Sequence, residues 1–182
     1  MLESFGEIYY DSSMSFRSTF LVLAGAAINV VGCAKKSTPA GPPPASPATG
    51  APIVFQVTKV TPGDKHNGVI TVNAYNFSEK SVAGYSIMYR FKDQAGARIK
   101  LNVGTAFEKD FDSWSMQSPD MLCKPKSWCS FAIDHLDVPV TAVNADVIAD
   151  RVRAIAPDGV TFEPDAIWEL SGSHMEWPAS MP

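Results

Sequence analysis

Val82-Ala-Gly-Tyr-Ser-Ile-Met-Tyr-Arg-Phe91 decides how this chain folds. Ala83, Tyr85, Ile87, Tyr89 and Phe91 recur at every second position, so an extended chain puts them on one face. Ser86, Met88 and Arg90 fall on the other. Downstream, Asp93-Gln-Ala-Gly96 turns the chain, and Ile99, Leu101 and Val103 then alternate with Lys100 and Asn102. Upstream, Asn76-Phe-Ser-Glu-Lys80 is a loop. Residues 69–76 form a second strand with Ile70, Val72 and Ala74 on one face, and residues 61–68 form a turn. Before that turn Ile53, Phe55 and Val57 alternate with Val54, Gln56 and Thr58.

The same period returns late in the chain, in residues 130–136, 145–156 and 160–170. Pro157-Asp158-Gly159 separates the last two as a tight turn, because proline presets one backbone angle and glycine accepts a positive one. Residues 145–153 have some helix propensity, but the turn and alternating run that follow favour a strand. Trp168 alternates with Ala166 and Leu170 and is expected in the core. About seven short strands with regular turns predict an all-β, immunoglobulin-like antiparallel β-sandwich.

Residues 76–96, from Asn76 to Gly96, resemble the core hairpin of FxLYD-like, immunoglobulin-like domains of bacterial lipoproteins. Those domains carry an Asn, a polar turn, an alternating strand, then an aromatic, an Asp and a Gly. The resemblance covers about twenty residues and implies a fold but no activity. The insertion over residues 104–129 departs from the short form of such domains.

A second resemblance concerns the N-terminal part. The apolar run from Phe20 to Val31 is twelve residues, interrupted by Asn29. That is short of the about 20 residues a spanning helix needs, but it suits the apolar region of a signal peptide. Val30-Val31-Gly32-Cys33 resembles the lipobox of bacterial lipoproteins. The resemblance implies a diacylglyceryl group on the Cys33 thiol and cleavage after the small residue Gly32. Two or three acyl chains anchor lastingly where one is marginal. Arg17 supplies the positive flank; Glu3, Glu7 and Asp11 do not suit a leader. A start at Met14 gives Met-Ser-Phe-Arg, so residues 1–13 are expected to lie upstream of the true start. Ala34, in place of Asp, points to the outer membrane or cell surface.

Residues 35–51 hold no large apolar side chain and are rich in Pro, Ala, Ser and Thr, as a polyproline-like spacer would be. The expected layout is therefore a leader over residues 1–32, a lipidated Cys33 with its tether over 33–51, and a sandwich over 52–182.

Hydrophobic residues make up 46% and charged residues 19%, which is a globular composition. The net charge is −4, and the residues after Cys33 hold 14 basic and 16 acidic side chains. No field of either sign exists to draw nucleic acid, which is excluded as a partner.

Cys33 stands apart from Cys123 and Cys129, which are six residues apart around Pro125. One modified cysteine and one disulfide fit an exported chain. His135 is the only histidine near the pair, so no metal site is expected, nor any cofactor. Asp134, His135 and Asp137 are the weak hydrolase alternative, with no Gly-x-Ser-x-Gly signature to join them. Asp134 and Leu136 are expected on one strand face, His135 and Asp137 on the other.

The long polar segment 104–129 carries Trp114, Met116, Met121 and Trp128. Loops of this length are often functional, so it is the expected binding surface. The first expectation is a non-catalytic binding or assembly module that meets an envelope protein there. The alternative is a glycan-binding module stacking sugars on exposed Trp114 and Trp128.

Overall fold

A computed structural model of the chain describes residues 41–170 and 176–179. Cys33 with its lipobox, the leader and residues 34–40 lie outside the described residues. Eight strands follow one another: β1 (Ile53–Thr61), β2 (Gly63–Asn76), β3 (Val82–Lys92), β4 (Arg98–Ile99), β5 (Asp112–Gln117), β6 (Ser127–Val138), β7 (Asn144–Ile155) and β8 (Phe162–Glu169). A three-residue 3-10 turn, Pro119–Met121, interrupts the approach to β6.

All pairings are antiparallel. One sheet runs β1-β2-β6 and the other β4-β3-β7-β8, with β5 also on β3. β7 takes one edge of β3. β5 lies opposite residues 84–89 and β4 opposite 91–92, so they share the other edge end to end. The connections β2 to β3, β5 to β6 and β6 to β7 cross between sheets. This is the all-β, immunoglobulin-like sandwich the alternation predicts.

The inner faces meet over Ile70, Val72 and Ala74 from one sheet and Tyr85, Ile87, Tyr89 and Phe91 from the other, all buried. Tyr85 stacks on Phe131 at 5.1 Å, and Phe55 meets both rings edge-on at 6.1 and 6.2 Å. Such aromatic pairs add to the energy of area burial. Burial pushes the Tyr85 hydroxyl well above its ordinary range, so it stays protonated. It lies 3.0 Å from Met121 O and 3.2 Å from Val82 O, which gives its proton an acceptor. β3 is buried on both faces: Met88 and Arg90 on its outer face are as enclosed as the core. Arg90 is tolerated there because Asp146 pairs with its Nε at 2.8 Å and the Trp177 ring lies 4.2 Å from its guanidinium carbon.

Several expectations are corrected. The predicted turn over residues 61–68 narrows, since Gly63 and Gly68 pair with Val138 and Leu136 of β6. The alternation at Ile99, Leu101 and Val103 stops early: β4 has two residues, and Val103 is exposed. In β6 a bulge forms at His135, whose φ is +59°. One extra residue reverses the alternation, so Leu136 is buried with Ile133 while Asp134 stays exposed. Asp134 and Leu136 therefore do not share a face.

The tether also ends earlier than residue 51. Ala51 is buried in the core, and Trp128 Nε1 donates to Gly41 O at 3.3 Å. Pro47 and Thr49 lie beside Ile148 of β7. Small side chains cannot build a core, but they fill the gap at a sheet edge.

Candidate functional site

Strand direction sorts the connections to two ends. The chain enters β1 at Ile53 and leaves it at Thr61, about 26 Å away at roughly 3.3 Å per residue. The end where it enters also carries the β2–β3 connection, the Cys123–Cys129 segment and the β7–β8 turn. The far end carries the β1–β2 hairpin, the β4–β5 connection and the β6–β7 connection. These three enclose a cleft of about 590 Å³ lined by His66, Leu101, Lys109, Asp112, Val138 and Val140, among others.

At this far end the backbone is held in costly conformations by named bonds. Lys65 and His66 both have left-handed φ, +49° and +64°. Non-glycine residues in that region store of the order of 1 kcal/mol each. Asp137 compensates: its carboxylate accepts from His66 N at 2.8 Å and lies 3.3 Å from His66 Nδ1. A side chain on Gly68 would come within 2.4 Å of Val138 Cγ2, so the hairpin reaches β6 only through glycine.

In the β4–β5 connection Leu101 and Lys109 exchange backbone bonds at 2.8 and 3.1 Å, closing the loop between them. Glu108 braces it, accepting from Lys100 Nζ at 2.7 Å and from Gly104 N at 3.2 Å. Those bonds hold its carboxyl below the usual range, the Lys100 bond foremost. Lys109 pairs with Asp112 at 2.6 Å. Burial, then the Asp112 carboxylate, pushes the Tyr89 hydroxyl above its ordinary range.

This ordered framework holds apolar side chains out in water. Phe107 is 78% exposed and Val140 is 86% exposed. Of the six large apolar residues exposed among the described residues, Val103, Phe107, Val140 and Val143 lie at this end. Scattered exposed apolar residues are ordinary; here four of the six stand on the loops of one end, with Val140 lining the cleft itself.

The His66–Asp137 pair could orient a base, but no hydroxyl or thiol side chain lines the cleft to be activated. The sequence-based hydrolase set is not assembled. His135 is exposed, 4.0 Å from Asp134, while Asp137 turns to His66. Among the described residues no group of three or more His, Cys, Asp or Glu is placed to hold a metal.

The expected binding segment 104–129 is not one loop. Residues 104–111 belong to the far end, β5 crosses the sheet, and residues 118–126 belong to the near end. Trp114 lies in β5 opposite Ile87 and packs half-buried on the core. Met116 is 37% exposed, and Met121 is buried. Trp128 lies in β6 on the other sheet, edge-on to Tyr75 at 5.3 Å. The two tryptophans form no common stacking platform for a sugar.

Cys123 and Cys129 are bonded, with Cα atoms 5.2 Å apart, as their spacing predicts. Cys123 exchanges backbone bonds with Val82 at 2.8 and 3.0 Å, and Cys129 pairs with Ala74. The staple therefore ties β6 of one sheet to the start of β3 in the other.

Sequence reasoning missed His66, Phe107, Val140 and Val143. A visible signal existed: Val103-Gly-Thr-Ala-Phe107 and Val138-Pro-Val-Thr-Ala-Val143 are apolar residues in turn-rich segments. No family model, curated protein or solved structure matches this chain.

Proposed function

We propose that this chain is a lipid-anchored, non-catalytic binding or assembly module of the cell envelope. Cys33 holds it on a membrane, and the loop end of the sandwich meets a protein partner. One observation carries the reading: the exposed apolar residues gather at the end opposite the one where the chain enters the sandwich. A module tethered at one end meets its partners with the other. Phe107 supplies an aromatic anchor of the kind that dominates protein interfaces. The polar contacts at the same end, Lys100–Glu108, Lys109–Asp112 and His66–Asp137, supply a polar rim.

Two experiments test the two halves. A photo-crosslinking residue at position 107, in the far loop, is compared with one at position 124, beside the disulfide. The reading expects a discrete protein adduct from 107 and none from 124; equal labelling from both overturns it. For the anchor, Cys33→Ser is expected to leave the chain unacylated and released from membranes. Membrane association unchanged in that variant removes the lipid.

A further inference from the structure

A second cleft, of about 370 Å³, opens on the outer face of the larger sheet near its other end. The register builds it from two rungs. Gln117, Gly84 and Arg153 lie side by side across β5, β3 and β7, and Ser115, Ser86 and Arg151 form the next rung on the same face. Gly84 keeps the floor low. A Cβ there would stand 2.9 Å from Arg153 Cβ and 3.2 Å from Gln117 Cγ, closing the trough.

The lining holds two guanidiniums and no carboxylate. Arg151 Nη2 is held by Glu169 of β8, with the Asp150 carboxylate also acting on Arg151, and Lys80 holds Glu163 near the start of β8. Arg151 Nε is buried with no hydrogen-bond partner, an orphan donor that an acceptor would satisfy. Arg153 makes no ion pair among the described residues and lines the cleft. Opposite the guanidiniums, Ser115 Oγ and Ser86 Oγ are 2.8 Å apart, so one hydroxyl proton is taken up between them and the other is left for a ligand. The Gln117 amide adds two more donors.

We propose that this cleft binds a phosphate group. Guanidinium forks on one wall and hydroxyl and amide donors on the other surround a tetrahedral oxyanion, whereas a planar carboxylate would be served by one fork alone. The group comes either from a small phosphate in solution or from a phospholipid headgroup, and the cleft lies towards the end where the chain enters the sandwich. The inference is independent of the far-end partner and of the lipid on Cys33.

Titration with inorganic phosphate at constant ionic strength, followed by arginine side-chain NMR of the full chain, tests it. Saturable shifts at Arg151 and Arg153 are expected. Arg153→Ala should weaken binding roughly tenfold, the worth of one charged hydrogen bond, with the thermal midpoint unchanged. Gln117→Ala should weaken it less. Shifts that do not saturate, or affinity unaltered in Arg153→Ala, overturn the proposal. Cosedimentation of the Cys33→Ser chain with phosphatidylglycerol vesicles then separates the sources. A loss of binding on adding Arg153→Ala assigns the cleft to headgroups; no difference, with the phosphate shifts present, assigns it to soluble phosphate.

Discussion

The two ends of the sandwich are built in opposite ways. The end where the chain enters is closed by a buried covalent and polar knot. Asn76, fully buried, donates from Nδ2 towards Lys80 O at 2.7 Å, Cys123 O at 3.0 Å and Lys124 O at 3.2 Å. Its Oδ1 accepts from Ser78 N and Ser78 Oγ, so the side chain is satisfied on both sides. The Cys123–Cys129 bond lies directly beneath. The far end is tied by exposed contacts, the Lys100–Glu108 and Lys109–Asp112 ion pairs and the bond from His66 N to Asp137, and leaves Phe107 and Val140 in water. Exposed pairs contribute little to stability, while buried, fully bonded groups contribute much. Stability is concentrated at one end, and surface available for a partner at the other.

The sharpest way to break this contrast is Asn76→Ala. It removes the buried Nδ2 bonds to three carbonyls, which keep only their bonds from Ser78 Oγ, Val82 N and Ser127 Oγ, and it takes the acceptor from Ser78 N. The change should cost roughly 3 kcal/mol, read as a lower midpoint in urea. A loss below about 0.5 kcal/mol, the usual surface effect, would mean the knot is not what holds that end. Next comes the disulfide. Cys123→Ser with Cys129→Ser removes a short closed loop, for which chain entropy gives about 2 kcal/mol. Amide exchange in β6 and at Val82 should quicken together, because the staple links those two strands; quickening of β6 alone would refute the link.

Asp146 sharpens the comparison through pH. Burial works to raise its carboxyl, but hydrogen bonds from Lys92 and Arg90 outweigh that and leave it below the usual carboxylate range. A carboxyl lowered on folding stabilises the native state above its unfolded value, about 4. That contribution is lost as pH falls from there through the lower folded value. Asp146→Asn should cost roughly 1.5 kcal/mol at neutral pH and flatten this acid-side decline. An unchanged decline would assign it to other carboxyls. The smallest stability effect belongs to Phe107→Ser with Val140→Ser, expected within about 0.5 kcal/mol. Carried in a chain with the photo-crosslinking residue at position 106 instead, the same double variant should abolish the adduct, and its retention would move the partner surface elsewhere.

Much of the fold was legible because strand alternation is local. A side chain's face depends on its neighbours two positions away, so β2, β3 and β7 could be read directly. The disulfide was legible for a similar reason: two cysteines six apart around a proline meet without help from the rest of the chain. The segment over residues 104–129 was misread because its halves are separated by β5, and a polar strand such as Asp112–Gln117 has no apolar alternation to betray it. His66 and Asp137 are 71 positions apart in sequence, and no local pattern joins them.

Composition, period and cysteine spacing alone thus established an all-β chain and its cross-link, because each depends on residues close together in sequence. Which loops share an end, that Trp114 and Trp128 sit on different sheets, and that Arg151 and Arg153 face Ser86 across a glycine trough were settled only by tertiary structure. Strand order and register set those placements, and they follow from how two sheets bury a common core, a balance that no single segment encodes.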